Sequence, residues 1–232
     1  MALYVIADLH LSESTDKPMD VFGKAWTNHK ARLEEAWRAT VTDEDTVVVP
    51  GDISWGMRFD NTEKDLLFIH SLPGHKLIGK GNHDYWWGTL TKLYDFTKSI
   101  GADSIDFLFN NAYKVGNKII CGTRGWFPDG SYGAEDEKIV LREAGRLRRS
   151  LDAGKALAEE GDELLVFLHY PPALGGVKCA PLAEILWEYD IKRCYYGHLH
   201  GINPAVTEKS LGKADLFLIS ADALGFVPLK ID

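Results

Sequence analysis

Lys76-Leu77-Ile78-Gly79, followed by Lys80-Gly81-Asn82-His83-Asp84, is the stretch from which the rest of the chain can be read. Its first four residues read as a short buried strand. The strand stops at a glycine and then presents an amide, an imidazole and a carboxylate in succession. A hydrophobic core has no use for three such side chains at one strand end. In α/β proteins the crevice beyond the carboxyl ends of the strands is where chemistry is usually placed. The aromatic run Tyr85-Trp86-Trp87 follows directly.

The same arrangement recurs along the chain. Leu3-Tyr4-Val5-Ile6-Ala7 is a continuous apolar run of the kind buried on both faces, and it ends in Asp8-Leu9-His10. In extended chain, residues i and i+2 point to one side, so Asp8 and His10 can reach one point together. The β-branched run Thr46-Val47-Val48-Val49 stops at Pro50-Gly51-Asp52. Leu164 to Leu168 ends in His169, and Cys194-Tyr195-Tyr196 ends in Gly197-His198-Leu199-His200. Each motif alone is weak, since Pro-Gly-Asp is ordinary turn chemistry and an Asp-x-His can occur by chance in a loop. The set is different: five of the eight histidines fall at these strand ends. A core does not collect imidazoles this way, because each buried one needs its own hydrogen-bond partner.

Helical spacing predicts helices near residues 33–41, 61–71, 89–99, 136–160 and 181–187, and Gly116-Asn117 marks a hairpin within a β-rich stretch, 105–121. Further strands are expected near 205–208, 215–220 and 226–231. His29, His70 and His75 read as structural. With no repeat, linker or low-complexity tract, the chain is expected to form one domain over residues 1–232.

The net charge of −8 disfavours a protein that tracks long nucleic acid. A bound metal can still reverse the sign locally and draw in a small phosphorylated substrate. The cysteines Cys121, Cys179 and Cys194 form no Cys-x-x-Cys pair, which suits free thiols in a reducing compartment and so a cytoplasmic protein. No signal peptide opens the sequence, and its longest apolar runs are too short to span a bilayer, so no membrane partner is expected.

Counted as ligands, Asp8, Asp52, Asn82, His10, His169, His198 and His200 are too many for one ion and suit two ions sharing a bridging carboxylate. Nitrogen and oxygen donors without thiolate point to Mn, Fe or Zn. Two such ions roughly 3.5–4 Å apart form the clamp used for in-line displacement at phosphorus.

The ordered set Asp-x-His, Gly-Asp, Gly-Asn-His-Asp, His and Gly-His-x-His resembles the calcineurin-like metallophosphoesterase superfamily, from Asp8 to His200. The resemblance implies an α/β (α+β) fold, a four-layer αββα sandwich with two central mixed β-sheets. It implies two divalent or trivalent ions, the first held by Asp8, His10 and His200 with Asp52 bridging, the second completed by Asn82, His169 and His198. His83 is then the general acid or substrate-positioning group, Asp84 orients it, and a metal-bridging hydroxide attacks phosphorus. Gly51-Asp52-Ile53-Ser54-Trp55-Gly56 departs from the Gly-Asp-x-Val-Asp-Arg-Gly of protein Ser/Thr phosphatases, so the family's small bacterial phosphohydrolases are the nearer match. The expected function is a phosphodiesterase or phosphatase acting on a small, nucleotide-like substrate. The rivals are a phosphomonoesterase and a catalytically idle binding or scaffold protein. Specificity is expected in Ser12–Trp26, Tyr85–Trp87 and Gly122–Gly133, with Arg124 as an extra phosphate contact.

Overall fold

A computed structural model describes residues 1–127 and 133–232 of the chain. In chain order the strands are β1 (Leu3–Val5), β2 (Thr46–Pro50), β3 (His75–Gly79), β4 (Ile105–Phe107), β5 (Ala112–Val115), β6 (Lys118–Thr123), β7 (Glu163–Leu168), β8 (Ala173–Leu174), β9 (Val177–Lys178), β10 (Arg193–Tyr196), β11 (Ser210–Leu211), β12 (Ala214–Leu218) and β13 (Leu229–Ile231). The α-helices are α1 (His29–Thr40), α2 (Glu63–Ser71), α3 (Leu90–Ser99), α4 (Ala134–Leu157) and α5 (Ala180–Glu188). One sheet has the order β13-β1-β2-β3-β4 and the other β11-β12-β10-β7-β6-β5. In both, the inner strands run parallel and antiparallel partners sit at an edge.

Strand periodicity explains the layering. Successive side chains point to opposite faces, so Leu3, Val5, Val48 and Leu77 of the first sheet meet Ile120, Leu165, Phe167 and Tyr195 of the second in a central apolar layer. Their neighbours Val47, Val49 and Ile78 face outward onto Leu33, Trp37, Leu66, Ile69 and Leu93 of α1, α2 and α3. On the far side, Ile119, Cys121, Val166, Leu168 and Cys194 meet Val140, Leu147 and Leu151 of α4 and Leu182 and Ile185 of α5. Three apolar layers therefore separate four layers of secondary structure, which is the αββα sandwich expected from the sequence. The three cysteines are buried free thiols.

Beyond β1 the chain leaves the first sheet and joins the second. The Ala7 amide donates to Ile219 O at 2.8 Å, and Ala7 O accepts from the Ala221 amide at 2.9 Å. The two sheets are thus stitched together at the carboxyl ends of their strands.

The tail differs from expectation. Residues 204–206 form a 3-10 turn and not a strand. Pro204 has no N–H to give a ladder, and the Asn203 side chain accepts from the Ala205 amide at 2.9 Å to start the turn. Phe226 takes a left-handed φ of 67°, so the last strand begins only at Leu229.

Lys76, on the helix-facing side of β3, is fully buried. Its Nζ donates to Leu72 O and Gly74 O, both at 2.6 Å, and to His70 O at 3.3 Å, closing the end of α2. Burial pushes its ammonium pKa down from 10.5 to about 8, against the opposing pull of Asp43. Between those values the unfolded chain holds the proton more tightly than the folded one, so the Lys76 contribution to stability rises with pH across the window. Urea midpoints of the wild type and of Lys76→Met at pH 7.5 and 9.5 are expected to shift in favour of the wild type at the higher pH. An unchanged difference would rule this out.

Candidate metal centre

All seven expected ligands lie just beyond strand ends: Asp8 and His10 after β1, Asp52 after β2, Asn82 after β3, His169 after β7, and His198 and His200 after β10. Asp8, His10, Asp52 and His198 have φ of 61°, 46°, 51° and 71°. Left-handed backbone at residues other than glycine costs about 1–3 kcal/mol each and persists only where the surroundings enforce it. Here the loops enforce it by pairing with one another: the Asp8 amide donates to Gly51 O and the His10 amide to Asp52 O, both at 3.0 Å. The same close approach requires two glycines. A Cβ on Gly81 would overlap the Asp52 carboxylate, and one on Gly197 would overlap Asp8 Oδ2.

The side chains converge. Asp8, His10 and His200 form one group whose donor atoms lie within 4.8 Å of one another, and Asp8, Asp52 and His169 form another. His10 Nε2 and His200 Nε2 face each other at 3.1 Å. Asp52 Oδ2 lies 3.6 Å from both His10 Nε2 and His169 Nε2. Asn82 Oδ1 is 2.6 Å from His169 Nε2 and 3.0 Å from His198 Nδ1.

The charge state fits bound cations. Burial pushes the Asp8 carboxyl up to about 6 against the pull of His200. Burial, followed by the charges of Asp84 and Asp8, raises Asp52 well above the usual carboxylate range. His10 and His169 are held far below the usual imidazole value, first by burial and then by neighbouring imidazoles. Neutral imidazoles present lone pairs, and crowded buried carboxylates need positive charge that these neighbours do not supply. Among the described residues the buried Nδ1 atoms of His10 and His169 also lack a hydrogen-bond partner. The donor set therefore fits metal ions bound by nitrogen and oxygen.

Asp84 departs from its expected role. It is fully buried, and its Oδ2 accepts from the amides of Asp52 (2.9 Å) and Gly81 (2.7 Å). Oδ1 accepts from the amides of Ile53 (2.9 Å) and Ser54 (3.3 Å) and from Trp86 Nε1 (3.1 Å). The carboxylate is fully occupied in clamping the β2 and β3 loops together, and His83 Nδ1 has no hydrogen-bond partner among the described residues. Asp84 thus positions the backbone, not the His83 ring. His83 itself lies beside Trp55, ring centroids 4.3 Å apart, and donates its amide to Asp52 Oδ1 at 2.8 Å. Burial, then Lys17 and His200, lower its pKa.

The expected specificity segments separate. Met19, Phe22, Ala25 and Trp26 of the first line a chamber of about 350 Å³ together with Trp55, His10, His83, His200, Gly201 and Asp222. Of the aromatic run, Trp86 is buried in the core and Trp87 packs against it, while Tyr85 stays exposed near His83. Residues 128–132 of the Gly122–Gly133 segment lie outside the described residues. Arg124 O accepts from the His169 amide at 3.0 Å, and its guanidinium lies 3.6 Å from the buried Glu143 carboxylate.

Asp222 was missed in the sequence. Its Oδ1 lies 3.0 Å from His200 Nδ1, and its Oδ2 accepts from the Gly201 amide at 2.7 Å. This fixes the His200 ring with Nε2 turned toward His10. Burial disfavours charge on His200, but the Asp222 hydrogen bond and Asp8 raise its pKa overall. The available signal was positional, a carboxylate just past the end of β12.

Residues 1–201 match the model of the calcineurin-like phosphoesterases. The chain belongs to that family. No curated protein matches it. Among solved structures, a protein of unknown function from Aquifex aeolicus is similar at 12% identity and a TM-score of 0.53, with 99% of this chain and 95% of that one covered. A phosphopantetheinyl hydrolase from Mycobacterium tuberculosis gives 14% and 0.55, with 99% and 95% covered. A Thermus thermophilus protein gives 10% and 0.57, with 99% and 97% covered. At such identities the likeness concerns the fold. The family implies a dimetal centre and metal-dependent phosphoester hydrolysis in general.

Asp84→Asn would aim an amide NH₂ at N–H donors. It is expected to destabilise the metal-free protein by at least about 2 kcal/mol in urea denaturation, the cost of leaving buried donors unsatisfied. His83→Ala is expected to cost clearly less. Equal costs would count against the clamp.

Proposed function

We propose that this protein hydrolyses small phosphoesters with two bound metal ions, acting first as a phosphodiesterase, and that one domain over residues 1–232 carries the activity. The observation that supports this reading is two donor groups sharing the buried Asp8, one with His10 and His200 and one with Asp52 and His169, with His10 and His169 held neutral. Asp8, His10 and His200 would hold the first ion, Asp52 would bridge, and Asn82, His169 and His198 would complete the second. The donor types favour Mn, Fe or Zn. When bound, the ions supply Lewis acidity at the phosphoryl oxygens and a hydroxide nucleophile near neutral pH.

The chain's own residues supply alignment and a proton. Asp84 keeps the Asp52 and Asn82 loops in register, and Asp222 keeps His200 turned toward the shared point. His83, on the chamber wall, is the group suited to give a proton to the leaving oxygen when its imidazole is protonated, a form its lowered pKa disfavours. Arg124 is retained as a contact to the phosphoryl group from the His169 side, although its guanidinium is already beside Glu143. Nucleotide-like phosphodiesters are the substrate class to test first. That the Mycobacterium tuberculosis structure is named as a hydrolase accords with the class of reaction. The buried free thiols support a reducing, cytoplasmic setting.

Reconstitution with Mn is expected to load about two ions per chain, as the two-metal architecture requires, and to give cleavage of bis(p-nitrophenyl) phosphate at least as fast as of the monoester. Fewer than one ion per chain with no hydrolysis would overturn the enzyme reading in favour of an idle scaffold. A large preference for the monoester would overturn the diesterase choice. His83→Ala is expected to lose more activity with an alkoxide leaving group than with p-nitrophenolate, by about 10²-fold, the low end for general acid catalysis. Equal losses would reduce His83 to positioning.

A further inference from the structure

The chamber beside the metal centre has two unlike ends. His10, His83, His200 and Asp222 form one, and Met19, Phe22, Ala25, Trp26 and Trp55 form the other. Two polar groups near the second end are already engaged. Trp55 Nε1 donates to Met19 Sδ at 3.2 Å, and Ala25 O accepts from Arg32 at 2.6 Å. At the first end, both Asp222 oxygens are taken by His200 and Gly201.

The indole faces are engaged too. Trp55 is stacked on His10 with centroids 5.1 Å apart, and the Lys17 ammonium sits 4.3 Å from its ring centroid. Trp26 is 3% exposed and makes edge contacts with His10, His29, His200 and Phe226. Neither indole offers an open face on which a base could stack. Phe22, by contrast, lines the chamber and is 67% exposed, an apolar side chain left in water at the mouth. A nucleobase bound here would meet mostly apolar side chains, and each of its donors and acceptors cut off from water without a partner would be costly. An apolar group would lose nothing and would cover Phe22.

We infer that the ester arm seated beside His83 is an apolar alcohol, alkyl or aryl, and that Met19, Phe22 and Ala25 set this preference. The inference rests on the hydrolase reading above and narrows it. Water oxygen bonds to phosphorus, the bond from phosphorus to the apolar alcohol oxygen breaks, and the alcohol departs carrying a proton. A nucleotide-like substrate is compatible only with its nucleoside on the other arm.

The test uses the full chain loaded with Mn and cleaving bis(p-nitrophenyl) phosphate, with diethyl phosphate, dibutyl phosphate and thymidylyl-thymidine as competitive inhibitors. Dibutyl phosphate is expected to inhibit at least about tenfold more tightly than diethyl phosphate, from the added methylenes buried. Thymidylyl-thymidine is expected to bind no more tightly than diethyl phosphate. Ala25 is exposed on its 3-10 turn, so Ala25→Asp should fold, and it is expected to abolish the dibutyl advantage. Equal inhibition by the two alkyl diesters, tighter binding of the dinucleotide, or a dibutyl advantage that survives in Ala25→Asp would overturn the inference while leaving the hydrolase reading intact. Failure to cleave bis(p-nitrophenyl) phosphate at all would remove that reading, and this one with it.

Discussion

The site depends on one buried carboxylate. Asp84 gathers N–H groups from the loop after β2, from the loop after β3 and from Trp86, and so welds two strand ends into a single surface. Hydrogen bonds to an ionised acceptor are about twice as strong as neutral ones, and here they are made in a fully buried place. Burial raises the Asp84 pKa while the amides of Gly81, Ser54 and Ile53 pull it down. The backbone donors offset part of the cost of burying its charge, although burial still raises the pKa overall. Asp52 and Asn82 can then face the same point as the donors arriving from the other sheet.

That arrangement explains why strain is tolerated. Four of the seven expected ligands adopt left-handed backbone, which turns each strand sharply enough to present a side chain over the sheet edge. The paired loops and the Asp84 clamp over-determine those conformations. The site is built mainly by backbone hydrogen bonding between loops, with side-chain chemistry added on top.

Much of this was legible from residues alone. Continuous apolar runs identify strands buried on both faces, and polar residues abruptly following such runs mark the edge that carries the site. What escaped was partnership. Asp84 sits next to His83 in sequence, and adjacency suggested that one orients the other. The fold turns the carboxylate back onto amides about thirty residues earlier, a contact that no local pattern encodes. Asp222 lay beyond the last recognisable motif and became relevant only because β12 runs parallel to β10 and ends beside His200. The 3-10 turn at 204–206 shows a smaller limit: Pro204 and Asn203 decided the local structure against the apolar character of its neighbours.

The family match ends at residue 201, yet one edge of the segment leading to Asp8 is paired by what comes after it. β13 pairs with β1 directly before Asp8, with Leu3 opposite Ile231 and Val5 opposite Leu229. The segment after β12 brackets Ala7 through Ile219 and Ala221. Residues 202–232 therefore act as a buckle: β13 and the segment after β12 fasten the strand that presents Asp8. The geometry of Asp8 thus depends on a tail that lies outside the family match.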